Sequence, residues 1–172
     1  MKKSTLIISF VIFFMGLAMF LAQPNSAKSL VRDTFVINYI YYVEGGDPET
    51  NLLWMTKVSH SGKVKTERRT VKGVEIEPKY TEYTETLWRK CQQPKFLAID
   101  ADSGEVREKT TMLGLETYIW REEANGIVVT RWFSPRTGPV PLKWRIDSPG
   151  QKTKIIEATS IDFRDVTENE VE

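Results

Sequence analysis

One cysteine, Cys91, and one histidine, His60, are all the chain offers of the two side chains most used for metal, redox and nucleophilic chemistry. A lone cysteine excludes an intrachain disulfide, so the core must hold unaided, and only an intermolecular link is open to that thiol. A lone histidine with no cysteine to complete a shell makes no zinc set, and a surface histidine beside a turn is the simpler reading of His60. No G-x-S-x-G elbow is present to hold a serine nucleophile. The glycines of VEGGDPET (residues 43–50) lack the Lys-Ser or Lys-Thr that reaches a nucleotide phosphate. An excess of one charge is missing too. Of 24 basic and 23 acidic residues the first 29 positions hold three lysines and no acids, so the remainder carries 21 and 23 and draws no nucleic acid. No catalytic residue, metal or cofactor is therefore expected.

Long hydrophobic runs are scarce. The one present, Leu6 to Ala22, follows the lysine pair Lys2-Lys3 and ends at Pro24, with small residues at Asn25-Ser26-Ala27 and Ala27-Lys28-Ser29. Residues 1–29 read as a signal peptide, or alternatively as an N-terminal anchor through residues 6–22. Either reading exports the rest, 30–172, as one β-rich domain, periplasmic or extracellular, long enough for one core and too short for two. No cysteine stands in this region to carry an acyl anchor.

What is abundant is short β-forming segments between turns. DTFVINYIYYV (33–43) is apolar on both parities, which suits a strand covered on both faces or an exposed edge. Residues 51–78 read as a hairpin turning at Ser61-Gly62-Lys63. KYTEYTETLWRKCQQ (79–93) places Tyr80, Tyr83, Leu87 and Cys91 on one helical stripe and is expected to be a short helix or irregular crossing. KFLAIDADSGEVREKT (95–110) reads as strand, turn at Asp102-Ser103-Gly104, and strand; its Asp100, Asp102 and Gly104 resemble the start of a calcium loop, but Thr111 stands where the bidentate Glu belongs. Asn125-Gly126 marks a two-residue hairpin turn. Leu142, Trp144 and Ile146 alternate with Lys143, Arg145 and Asp147, and Pro135, Pro139 and Pro141 fall between strands because they cannot donate to a ladder. The expected fold is mainly β: an antiparallel meander of about seven to nine strands forming a curved sheet or incomplete half-barrel, with little helix.

Pairing about Asn125-Gly126 is expected to bring Tyr118, Trp120 and Trp132 onto one sheet face, with Trp144 also facing inward. These four are the candidate ligand-binding residues, lining a hydrophobic face that serves either as core or as a cavity for a lipid or acyl chain.

The run from Gly114 to Phe163 resembles the C-terminal half of LolA-like periplasmic lipoprotein carriers and related outer-membrane lipoprotein-sorting domains. The resemblance lies in the strand ending Trp132-Phe133, the turn SPRTGPVPLK, then Trp144-Arg145-Ile146, and the strand closing at Ile161-Asp162-Phe163. It implies an incomplete antiparallel barrel with helices across its open side and an apolar cavity for lipoprotein acyl chains. The chain departs from it in the extra proline of GPVP, in showing no evident helix after Ser29, and in lacking the family's closing tail. Two functions are thus expected of a non-catalytic envelope protein: binding a hydrophobic ligand, possibly a lipid or lipoprotein acyl chain, or serving as a protein-interaction or structural module that docks an envelope protein.

Overall fold

The computed structural model describes residues 29–172. The leader or anchor expected over residues 1–29 lies outside the described residues except for Ser29. Nine strands form one antiparallel sheet: β1 (Phe35–Val43), β2 (Leu52–Val58), β3 (Lys63–Thr70), β4 (Glu75–Glu82), β5 (Lys109–Met112), β6 (Leu115–Ala124), β7 (Ile127–Phe133), β8 (Lys143–Asp147) and β9 (Lys154–Asp162). Their spatial order is β4-β3-β2-β1-β9-β8-β7-β6-β5. Two consecutive meanders, β1 to β4 and β5 to β9, are therefore zipped together by the pairing of the first strand with the last. The sheet does not close, and β4 and β5 are its edges. This is the mainly β, antiparallel, little-helix architecture read from the alternating segments.

That order forces one long crossing. The chain leaves at the β4 edge and must re-enter at the β5 edge, eight strand spacings away, or roughly 38 Å if the sheet were flat. Two short helices make the passage, α1 (Glu85–Cys91) and α2 (Pro94–Ala98). Thr84 caps α1 by accepting from the Leu87 amide at 3.3 Å, and Glu85 pairs with Arg89 one turn on. The inward stripe of α1 is Trp88 and Cys91, both buried, while Leu87 faces water. The segment 79–93 is thus two elements, the end of β4 followed by a helix; of the stripe expected through Tyr80, Tyr83, Leu87 and Cys91, Tyr83 and Cys91 pack inward, whereas Tyr80 and Leu87 are exposed and Trp88 takes the inward place. The strand expected at Lys95–Ile99 is also corrected. Pro94, with no amide to donate and φ preset for a first helical turn, starts α2 there, and only an isolated bridge between Ile99 and Val106 remains of the hairpin.

Burial follows from the crossing. Phe35, Ile37 and Tyr39 of β1 join Val58, Leu142 and Trp88 in the main core. Leu97 and Cys91 of the helices seal Tyr118 and Phe133. On the other face of β1, Val36 and Met55 are covered by Val166 and Val171 of the C-terminal tail. β1 is therefore an interior strand, next to the middle of the sheet, with both faces covered, as its two-parity hydrophobicity allowed. A bulge between Asn38 and Tyr39 leaves Thr159 without a ladder partner, and its hydroxyl donates back to the Asn38 carbonyl at 3.1 Å. Asn125 and Gly126 both take positive φ, 52° and 75°, in the two-residue turn expected for them. No helix among the described residues is long and apolar enough to cross a membrane.

Candidate functional site

The tight Asn125-Gly126 turn sets Ala124 opposite Ile127, so counting back pairs Trp120 with Arg131, Ile119 with Trp132 and Tyr118 with Phe133. Trp132 therefore points to the opposite face from Tyr118 and Trp120, which corrects the expectation that all three share one. It lies beside Lys143, whose ammonium is 5.4 Å from the ring centroid. Arg131 pairs in turn with Trp144, which places Trp120 and Trp144 in one row on the helix-bearing face.

On that face the aromatic residues are occupied by the chain itself. The Trp120 ring meets Phe133 at 5.2 Å and Phe96 of α2 at 5.7 Å between centroids, and its indole N–H donates to the Leu97 carbonyl at 3.2 Å. The Arg107 guanidinium lies 3.9 Å over the same ring and is held there by Asp100 at 2.8 Å. Tyr118 donates its phenol proton to the Glu116 carboxylate, and that bond, more than burial, pushes the phenol up to about 12. Trp144 tilts against Tyr39, 5.6 Å away, whose hydroxyl donates to the Pro141 carbonyl at 2.8 Å.

The residues that could do chemistry are distributed differently. Ser29, His60 and Asp165 line up, with Ser29 Oγ 3.1 Å from His60 Nδ1 and His60 Nε2 3.3 Å from Asp165. The hydroxyl, however, spends its proton on the Val31 carbonyl, and the imidazole and carboxylate side chains are 53% and 76% exposed. A hydroxyl that gives its proton to a carbonyl is not being activated by the imidazole, and water competes for every group. Burial pushes the Cys91 thiol up to about 11, which keeps it protonated and inert at neutral pH. Asp100 spends its carboxylate on the Asp102 and Ser103 amides, both at 3.0 Å, and on Arg107, so the calcium-like segment is a tight turn. Among the described residues no three His, Cys, Asp or Glu side chains are placed to hold a metal ion.

A concavity lies elsewhere, in a cleft of about 560 Å³ that runs across β1 to β4 and is lined by none of the four candidate aromatics. Pro78 helps to shape it. Lacking an amide proton, this residue sits in the edge strand where the β3–β4 register slips between Thr66 and Arg68. The ladder sets Trp54 of β2 opposite Arg68 of β3, and Arg68 opposite Ile76 of β4. Trp54 stacks on Tyr41, centroids 6.2 Å apart and planes 7° from parallel. One Arg68 nitrogen donates to the Glu77 carbonyl at 2.6 Å, but Arg68 Nε and the Trp54 indole nitrogen are buried with no acceptor. Each such orphan costs about 1–3 kcal/mol. Lys65, whose ammonium lies 5.6 Å from the Tyr80 ring, donates to the main-chain oxygen of Glu172 at 2.7 Å, which ties the tail to the cleft wall. The sequence reading passed over this group, because KVKTERRT looks like any solvated strand.

The tail is pinned by its own charges. Glu168 accepts from the Ser61 hydroxyl at 2.8 Å and amide at 3.2 Å. Glu170 accepts from Arg164 at 2.7 Å and from the Thr167 amide, and the guanidinium chiefly lowers its carboxyl to about 2.

No protein-family model matches the chain, and no curated protein matches it significantly. Solved structures are similar at a distance. MucB is 11% identical with a TM-score of 0.47, over 85% of this chain and 59% of MucB. The MucA/MucB complex of Pseudomonas aeruginosa contains a chain 12% identical, TM-score 0.49, over 85% and 57%. PNGF-II is 14% identical, TM-score 0.42, over 80% and 29%. The chain thus spans less than two thirds of each of these neighbours.

Proposed function

We propose that this chain is a non-catalytic protein-interaction module of the cell envelope, exported by the leader or held by an anchor at residues 1–29. The observation that carries this reading is a contrast in occupancy. The aromatic face is filled by α1 and α2 of the same chain, whereas the open concavity is charged, rich in donors, and lies beside the bare edge strand β4. A carrier of acyl chains needs a continuous apolar cavity. A polypeptide partner needs backbone and polar side-chain contacts next to an unpaired edge, and that is the chemistry presented here. The resemblance to LolA-like carriers contributes to this reading only the expectation of a curved antiparallel sheet crossed by helices. The absence of an activated nucleophile at Ser29, His60 or Cys91 supports a role without catalysis.

The test is photo-crosslinking in living cells with a benzoylphenylalanine placed at Lys79, exposed on β4, and a control at Glu123 near the Asn125-Gly126 turn. A discrete protein adduct from position 79 and none from 123 is the expected result. An acyl chain co-purifying at one per protein, with no adduct from position 79, would overturn the module in favour of a carrier.

A further inference from the structure

The tail, residues 164–172, lies on the same sheet face as part of the cleft wall and shares residues with it. The ladder places Val36, Lys57, Lys65 and Tyr80 in one row across β1 to β4, and Asn38, Met55 and Glu67 in the next row of that face. Met55 packs against Val166 and Val171 of the tail and also lines the cleft. Lys65 lines the cleft too, and donates to the Glu172 main-chain oxygen at 2.7 Å. Seat and cleft are therefore one continuous strip, and the chain's own peptide fills one end of it. That peptide is held lightly. It belongs to no strand, and among the described residues its only backbone–backbone hydrogen bonds are those of its own turn, from Glu170 to Thr167 and from Val171 to Glu168. Within it only Val166 and Val171 are buried. The rest of the grip is polar: the Thr34 hydroxyl donates to the Arg164 carbonyl at 2.6 Å, and Lys63 lies 4.0 Å from Glu168 and 3.5 Å from Glu172. Exposed ion pairs add little to stability, and a stretch with few buried contacts opens without the rest of the fold.

We propose that residues 164–172 are a displaceable strap, and that the partner of this module docks by inserting a segment of the same make into the seat beneath it. The proposal rests on the module reading and adds where the partner seats and what the seated segment carries: two valine-sized side chains spaced as Val166 and Val171 are, with a carboxylate at the place of Glu168. Each feature answers a group of the seat. The aliphatic pair covers Val36 and Met55, and the carboxylate takes the Ser61 hydroxyl and amide, at 2.8 and 3.2 Å, beside Lys63. The spacing is set by one short helical turn, Glu168–Glu170, which the Glu170 carboxylate closes by accepting from the Thr167 amide at 3.2 Å. Because the strap is tethered, it competes with any such segment at a high effective concentration and so sets the threshold for docking.

The test uses the full chain purified in a non-ionic detergent and a fluorescent synthetic peptide of residues 164–172, followed by anisotropy. A chain carrying Val166→Asp with Val171→Asp, whose own strap no longer seats, should bind the peptide saturably, and the wild type at least about tenfold more weakly. The two valines lie outside the main core, so the body of that variant keeps its near-ultraviolet circular dichroism. A second chain, Glu168→Lys, changes a side chain that is 42% exposed and sets it against Lys63; it should open the seat in the same way. A peptide carrying the two aspartates should bind none of the three chains. Equal binding of the parent peptide to wild type and both variants, no binding to any, or binding of the aspartate peptide would overturn the proposal. In cells, benzoylphenylalanine at Tyr80, exposed on the cleft wall, should give several-fold more partner adduct in the two strap variants than in wild type. The Lys79 crosslink separates the two levels: an adduct there with no gain at Tyr80 in the variants defeats the strap alone, and no adduct at either position in any chain defeats the module as well.

Discussion

The two halves of the sheet are built from the same alternating strands and finish differently. The half from β5 to β9 receives the crossing helices on its aromatic face, so Tyr118, Trp120 and Phe133 are sealed by Leu97, Cys91 and Phe96. The half from β1 to β4 is covered on its other face by the tail, and keeps a cleft toward its edge. Aromatic content does not separate them, since Tyr41, Trp54 and Tyr80 belong to the open half. What separates them is which stretch of chain happens to pass overhead. An aromatic face is a binding face only where the connection leaves it uncovered.

The comparison is broken most severely at Trp88, which is fully buried where the crossing meets the main core. Trp88→Ala should cost about 3–5 kcal/mol, read as a lowered urea midpoint, with loss of hydrogen-exchange protection in β6 and β7 as the covering helices detach. An unchanged midpoint would mean that the helices do not hold the closed half together. Gly138→Ala attacks the same contact from the other side. A Cβ there would stand 2.5 Å from the Trp88 ring, on a backbone at φ +59°, so overpacking and strain together should cost about 2–4 kcal/mol.

The open half should respond less. Val166→Ala removes two buried methyl groups from the contact of the tail with Val36 and Met55, for about 1–2 kcal/mol. Its effect should appear as faster exchange in residues 164–171, with the helix-covered half unaffected. Acid should loosen the same tail. Glu170 is held at about 2 instead of the usual 4.5. Its folded value is the lower one, so the stability it contributes is fully present above pH 4.5 and is lost as pH falls toward 2. The difference in urea midpoint between wild type and Glu170→Gln should therefore shrink across that window; a constant difference would show that Arg164 does not depend on the charge. The smallest change is a gain. Leu113 takes φ 50° in the β5–β6 turn, a conformation asparagine tolerates better, and Leu113→Asn should raise stability by roughly 0.5–1 kcal/mol.

Local chemistry was legible where a single residue type has a single physical use. Asn125-Gly126 announced its turn, the Leu142 to Asp147 alternation its strand, and Pro135, Pro139 and Pro141 the break between β7 and β8. Reading failed where two local preferences competed. Lys95 to Ile99 carries strand-forming residues, but Pro94 preset a helical turn and the helix prevailed because Leu97 could be buried against Tyr118 and Phe133. The face of Trp132 was misjudged for a simpler reason: a strand repeats every two residues, so an uncertainty of one in the hairpin register inverts every assignment.

By itself, then, the order of residues determined that this would be an antiparallel β protein with no disulfide, and where most of its strands begin and end, because turn chemistry and period-two alternation act within a few residues of one another. It could not determine that β1 would pair with β9, that the passage from β4 to β5 would lay Trp88 across the core, or that Trp54 and Arg68 would meet with their donors unsatisfied. Those outcomes join positions far apart in the chain, and pairings at that range are chosen by the whole fold competing to bury apolar area and satisfy its hydrogen bonds at once.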